Sequence, residues 1–188
     1  MDHAAGLAEV KRVTGAQLFS GKIAKEELVR GGRNDFFLRD IMAFEPVSVD
    51  RVIDDFESFE VGNTVFTMHH TPGHTKGCTS WAFETLLPSG ETEDGLLICS
   101  LSILRYGLVD NKAYPEIASD FKNTFDRLDS LPCNIFLAPH ARLFDLKTKS
   151  HIARENRSNP YIDPAGCKAY IGMSRRKFER RFNAQSKS

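Results

Sequence analysis

Long apolar runs are missing from this sequence. No stretch among its 188 residues approaches the roughly 18–20 residues a membrane-spanning helix needs. A surplus of one charge is missing too. Lys+Arg and Asp+Glu both number 25, so the net charge is zero. That balance argues against a nucleic-acid or membrane-surface partner, since both select for a basic excess. A local exception, Ser174-Arg175-Arg176-Lys177-Phe178-Glu179-Arg180-Arg181, reads as a solvated helical turn,. Cysteine is sparse. Cys78, Cys99, Cys133 and Cys167 show no CxxC spacing, which speaks against a zinc ribbon or a thioredoxin-like site. No leader is visible either: Met1 is followed by Asp2-His3-Ala4-Ala5-Gly6, with neither a charged start nor an apolar stretch,. As written, the chain reads as cytoplasmic.

What is present is a pattern of alternating elements. Hydrophobic residues make up 41%, enough for one domain over 1–188 with its own core. Leu7, Val10 and Val13 are spaced as a helix, stopped at Thr14-Gly15. Ala16–Ser20 reads as a short strand and Gly21–Arg30 as a second helix ended by Gly31-Gly32. Residues 33–50 read as a long loop or lid. The stretch Phe59–Phe66 reads as a hairpin turning at Gly62-Asn63. Val65–His69 and Cys78–Phe83 are strand candidates around the loop 71–77. Leu87–Asp94 reads as an exposed hairpin loop and Gly95–Ser100 as a buried strand. Pro115–Leu131 is the clearest helix, with Ile117, Phe121, Phe125 and Leu128 on one face. Asn134–Ala138 reads as a buried strand ending at Pro139-His140, and 147–183 as mostly helical. Strands and helices alternate throughout, which implies a layered α/β domain.

The chemistry-bearing residues lie at element ends. Six histidines are present. Asp2-His3 opens the first helix, His74 sits in a Gly/Pro-rich turn, and His140 closes a buried strand. His69-His70 ends a strand, with His69 expected to point outward. Histidine and aspartate converging from several strand ends are the ingredients of a zinc site. Spacing alone leaves an ordinary surface or hydrogen-bonded histidine as the alternative at each position.

The segment His70-Thr71-Pro72-Gly73-His74-Thr75-Lys76-Gly77 resembles the TPGHT-x-G signature of the metallo-β-lactamase superfamily. Asp2-His3-Ala4-Ala5-Gly6 resembles the end of that superfamily's HxHxDH motif, and Ala138-Pro139-His140 resembles its last ligand segment. Finer features resemble subclass B3. Cys99-Ser100-Leu101-Ser102 is similar to its DSLS segment, Tyr106 to a tyrosine near the substrate carbonyl, and Trp81 also fits. Leu131-Pro132-Cys133 and Gly166-Cys167-Lys168-Ala169-Tyr170 resemble the two halves of that subclass's disulfide, favoured if the protein reaches an oxidising compartment.

The resemblance implies a four-layer αββα sandwich with two zinc ions at its edge. One would be held by the first two histidines of HxHxDH and by His74, the other by Asp2, His3 and His140. It also implies β-lactam opening by zinc-bound hydroxide, with Asp2 and Tyr106 as catalytic residues and Ser100 and Ser102 holding the substrate carboxylate. A periplasmic location goes with it.

The sequence departs from the pattern in two places. The two leading histidines would precede Met1, which predicts an N-terminally truncated member lacking strands of one sheet. One zinc or none, reduced or lost activity, and self-association through exposed sheet surface are then expected. Cys99 stands where an acidic residue is common, so it is either a zinc-ligating thiolate or a small buried thiol. Two alternatives to a β-lactamase stay open: a lactonase or thioesterase of the same fold, and a non-catalytic remnant.

Overall fold

The computed structural model describes residues 3–156 and 159–187. Helix α1 (Leu7–Thr14) stops at Gly15, which takes the left-handed conformation (φ 68°) and donates its N–H to the Lys11 carbonyl, an economical end for a residue without Cβ. Strand β1 (Phe19–Gly21) pairs in parallel with β2 (Arg51–Ile53). Between them run α2 (Lys22–Val29) and the irregular segment 30–50. This segment is anchored: Phe36 packs against Tyr106 and Tyr114, and Phe37 against Tyr106.

The second sheet has five strands in the order β3 (Ser58–Val61), β4 (Thr64–His70), β5 (Thr79–Leu86), β6 (Thr92–Leu97) and β7 (Ile135–Leu137). All pairs are antiparallel except β6–β7. A parallel pair needs a crossover, and α3 (Ile117–Ser130) lies in that connection,. After β7 come a 3₁₀ turn (Ala141–Leu143), α4 (Leu146–Asn156) and α5 (Pro164–Gln185). The α/β expectation holds, with one sheet of two strands and one of five.

Register assigns the faces. Thr67, Ala82, Leu96 and Phe136 form one row across the sheet. That row faces the core where Phe121 and Phe125 of α3 meet Phe178 of α5. All three rings are essentially inaccessible to solvent. The helical spacing read from the sequence is the spacing that buries Ile117, Phe121, Phe125 and Leu128.

The opposite face carries Phe59, Phe66, Phe83 and Gly95 in one row and Met68, Trp81 and Leu97 in the next. Its rings form a continuous layer, Phe59 on Phe66 at 5.8 Å and Phe66 on Phe83 at 5.7 Å. A side chain at Gly95 would collide with the Phe83 ring, so glycine there lets that ring lie across the strand.

Two strand boundaries and one orientation differ from expectation. Residues 92–94 belong to β6, because they pair with Glu84–Leu86. The buried strand leaves the ladder after Leu97, although the Ile98 N–H still donates to the Leu137 carbonyl at 3.0 Å. His69 does not point outward. Its register opposite Ser80 turns it to the helix-covered face, where it is 5% exposed, edge-on to Phe56. Burial, with the Arg127 charge nearby, holds its pKa below the usual imidazole range,.

Cysteine pairing also adds to the sequence reading. Cys133 and Cys167 form a disulfide, with Cα atoms 6.4 Å apart. Cys99 is neither a free thiol nor a ligand: it pairs with Cys78, Cα to Cα 5.9 Å. Both separations suit a disulfide.

Candidate metal centre

Two candidate ligands meet at the end of the molecule where β7 stops. His140 follows Pro139, has extended backbone, and opens the 3₁₀ turn by accepting the Leu143 N–H on its carbonyl at 2.9 Å. His3 lies in the turns before α1. The two Nε2 atoms are 3.3 Å apart, with ring centroids at 4.7 Å and planes at 65°. Two imidazoles on one tetrahedral zinc, each ~2.0–2.1 Å from it, hold their nitrogens ~3.3–3.4 Å apart. The pair therefore has the spacing of two ligands to one ion. Asp2, expected as their third partner and as a catalytic residue, lies outside the described residues. Among the described residues no group of three His, Cys, Asp or Glu side chains is assembled for a metal.

His74 is held from a different direction. Its loop joins β4 to β5 and is closed at its base by the Thr71 N–H on the Cys78 carbonyl at 2.9 Å. Gly73 takes φ 133° directly against the Phe121 ring, where a Cβ would clash. Helix α3 pins the same loop, since Thr124 Oγ1 donates to the Pro72 carbonyl at 2.7 Å and Arg127 Nη1 to the His70 carbonyl at 2.8 Å. His74 Nδ1 lies 2.6 Å from the Ser102 carbonyl oxygen. A carbonyl only accepts, so Nδ1 carries a proton and Nε2 is the nitrogen left to face a metal. Metal-binding histidines are oriented by this kind of outer hydrogen bond.

The Ser102 carbonyl takes a second donor, the Tyr106 hydroxyl at 3.2 Å. Tyr106 is 4% exposed, and burial pushes its pKa up to about 12. In the structure its hydroxyl braces Ser102 from within. Ser100 is also buried, and its Oγ accepts the Ser102 N–H at 3.3 Å. Ser102 itself is exposed. The structure thus joins His74, Ser100, Ser102 and Tyr106 through one short segment, and His3 to His140 separately.

Sequence reasoning missed two supports of this region. The Cys78–Cys99 disulfide ties the end of the His74 loop to the start of the serine segment. Glu27 of α2 packs its carboxyl against Gly77, and burial pushes that carboxyl up to about 7. The first was signalled only by two cysteines flanking those motifs. The second had no signal beyond an acidic residue on a short helix.

Comparison with known proteins agrees with this geometry. The family model described as the metallo-β-lactamase superfamily matches residues 1–140. FEZ-1, a metallo-β-lactamase from Legionella gormanii, superposes with a TM-score of 0.94 at 37% identity, over 99% of this chain and 72% of that one. A metallo-β-lactamase from Cronobacter sakazakii superposes at 0.90 with 34% identity, over 98% and 72% of the two chains. BJP-1, a subclass B3 metallo-β-lactamase of Bradyrhizobium japonicum, does so at 0.87 with 30% identity, again over 98% and 72%. With a family model covering most of its length and relatives above 30% identity matched along almost all of it, this chain belongs to the metallo-β-lactamase superfamily.

Proposed function

We propose that the chain carries the machinery of a zinc-dependent hydrolase that opens β-lactam rings. The observation that bears this reading is the convergence of His3 and His140, Nε2 to Nε2 at 3.3 Å; on a separate loop His74 is oriented by the Ser102 carbonyl. His3 and His140, with Asp2 before them in the chain, would hold one zinc. His74 belongs to the second ligand set. Zinc, when bound, lowers the pKa of water and polarises a carbonyl. The residues around it supply position. Ser102 carries an exposed side chain, and Tyr106 keeps its backbone in place. Ser100 and Ser102 are the residues proposed to hold the substrate carboxylate.

Within these 188 residues His74 is the sole histidine of its set that the sequence motifs supply, and a catalytic zinc normally has three protein ligands. A polypeptide of residues 1–188 assayed by itself is therefore expected to hold one zinc and to turn β-lactams over slowly. An oxidising compartment such as the periplasm suits a chain whose four cysteines are all paired,. Self-association through the aromatic sheet face is proposed with it.

Zinc content and thermal stability test the reading together. The chain dialysed against excess zinc should retain one ion, and its Tm should rise, because zinc at a hundredfold over Kd adds about 2.7 kcal/mol. His140→Ala should abolish both effects, and His74→Ala should leave them. Two retained ions with ordinary carbapenem hydrolysis would refute the single-ion reading. A Tm indifferent to zinc and to chelator would favour a non-catalytic remnant.

A further inference from the structure

The machinery above uses Ser102 and His140 but not the space between their segments. A cavity of about 210 Å³ opens there, bounded by Leu101–Ile103 on one side and by Leu143, three residues past His140, on the other. Helix α5 closes it with Tyr170, Met173, Ser174, Lys177 and Arg181. Ligand pockets for whole drug-sized molecules run ~300–1,000 Å³, so this one has room for a substituent.

Its charge is distinctive. Lys177 and Arg181 stand four residues apart on α5, a spacing that makes them neighbours and, as like charges, mutually unfavourable. Arg175, on the same helix, is neutralised by Asp126 at 2.9 Å and Asp129 at 2.6 Å. Among the described residues neither Lys177 nor Arg181 has an acidic partner. Arg181 is also fixed in place. It donates to the Tyr106 carbonyl at 3.0 Å and to the Ile103 carbonyl at 3.5 Å, which leaves N–H donors and a full charge for something else. The remaining wall is mainly apolar, from Leu101, Ile103, Leu143, Tyr170 and Met173, with Ser102 and Ser174 as its other polar residues. Two uncompensated cations in a small apolar recess are complementary to a carboxylate carried on a short apolar arm.

We propose that this cavity is a subsite for an anionic substituent, a carboxylate on the substrate's side chain, distinct from the carboxylate assigned to Ser100 and Ser102. It rests on the β-lactam reading above for the identity of the substrate, but its binding chemistry can be measured without turnover.

The test compares two penicillins that differ only in a second, side-chain carboxylate. Lys177 is exposed, so Lys177→Glu and Lys177→Gln should fold as the parent does. By calorimetry, the parent chain should bind the dicarboxylate more tightly. Lys177→Glu should weaken that compound about tenfold, a difference of about 1.4 kcal/mol, and Lys177→Gln should weaken it less. The monocarboxylate should move less than twofold. Where turnover is measurable, the same ratio should appear in KM with kcat unchanged. Equal binding of the two compounds by the parent, no binding of the dicarboxylate at millimolar concentration, or equal losses for both compounds in Lys177→Glu would each overturn the subsite. Discrimination in binding by a chain that retains no zinc would leave the subsite standing and count against the β-lactamase reading.

Discussion

The two faces of the five-stranded sheet are built from similar residues and end in different environments. On one, Leu96 and Phe136 disappear beneath α3 and α5. On the other, Phe59, Phe66, Trp81 and Phe83 form an aromatic layer that stays partly open, and Leu97 is 36% exposed. Aromatic pairing adds ~0.5–1.5 kcal/mol beyond burial on either face, but only the first gains full burial. Stability should therefore sit on the helix side, and the open side should be the adhesive one.

Substitution on both faces is the strongest way to break this comparison. Phe125→Ala removes a ring with no solvent exposure, packed on Phe121 and Phe178, and should cost ~3–5 kcal/mol by denaturant unfolding. Phe66→Ala, from the open layer, should cost ~1–2 kcal/mol, since less apolar area is lost from burial. Phe66→Ser should also lower the sedimentation-average mass if the open face drives self-association. Equal destabilisation from Phe125→Ala and Phe66→Ala would mean the open face is covered in solution.

The same contrast explains what was legible in the sequence. Helix α3 declared itself because its partners demand one continuous apolar stripe, and period 3.6 survives in the sequence. The motifs around His74 and His140 were legible because a turn and a strand end are local features. The orientation of His69 was not, since a strand's facing depends on register with its neighbour. Opposite Ser80, His69 falls on the core side. The Cys78–Cys99 pairing was equally hidden, because two strand ends are brought together by the antiparallel β5–β6 ladder and by no local signal. Tyr106 was legible as a residue but not as a brace, because its burial comes from Phe36 and Phe37 in a segment without periodicity.

The disulfides sharpen the comparison at the next level of effect. Cys133–Cys167 spans 34 residues and ties the approach to β7 to α5. Cys78–Cys99 spans 21 and ties the His74 loop to the serine segment. Chain entropy assigns each roughly 3–4 kcal/mol. Their consequences should separate in function. Cys133→Ser with Cys167→Ser should lower Tm with little change in substrate affinity. Cys78→Ser with Cys99→Ser should lower Tm comparably and weaken β-lactam binding as well, because Ser100 and Ser102 lose their tether. Calorimetric affinities for both double variants decide this, and equal affinities would show that the serine segment is held by Tyr106 and Ser80 alone.

The smallest effect concerns Glu27, whose carboxyl packs against Gly77 at the far end of the His74 loop. Burial raises its pKa from 4.5 to about 7, with Arg30 and Lys76 opposing and Asp35 reinforcing. A carboxyl with a raised folded-state pKa stabilises the fold fully below its unfolded pKa, and that contribution is lost as pH climbs through the folded value. Glu27 should therefore make the chain lose stability between about pH 5 and pH 8, on the order of 1 kcal/mol for a partly buried group. His69 acts in the opposite sense, because its lowered pKa withdraws stability as pH falls. The raw pH profile mixes the two. Subtracting the profile of Glu27→Gln, which keeps the size but cannot ionise, removes the His69 contribution. The difference should slope downward across that window. A flat difference would show that Glu27 is solvated when the loop moves, and that the buried tether belongs to a loop more mobile than its contacts with α3 imply.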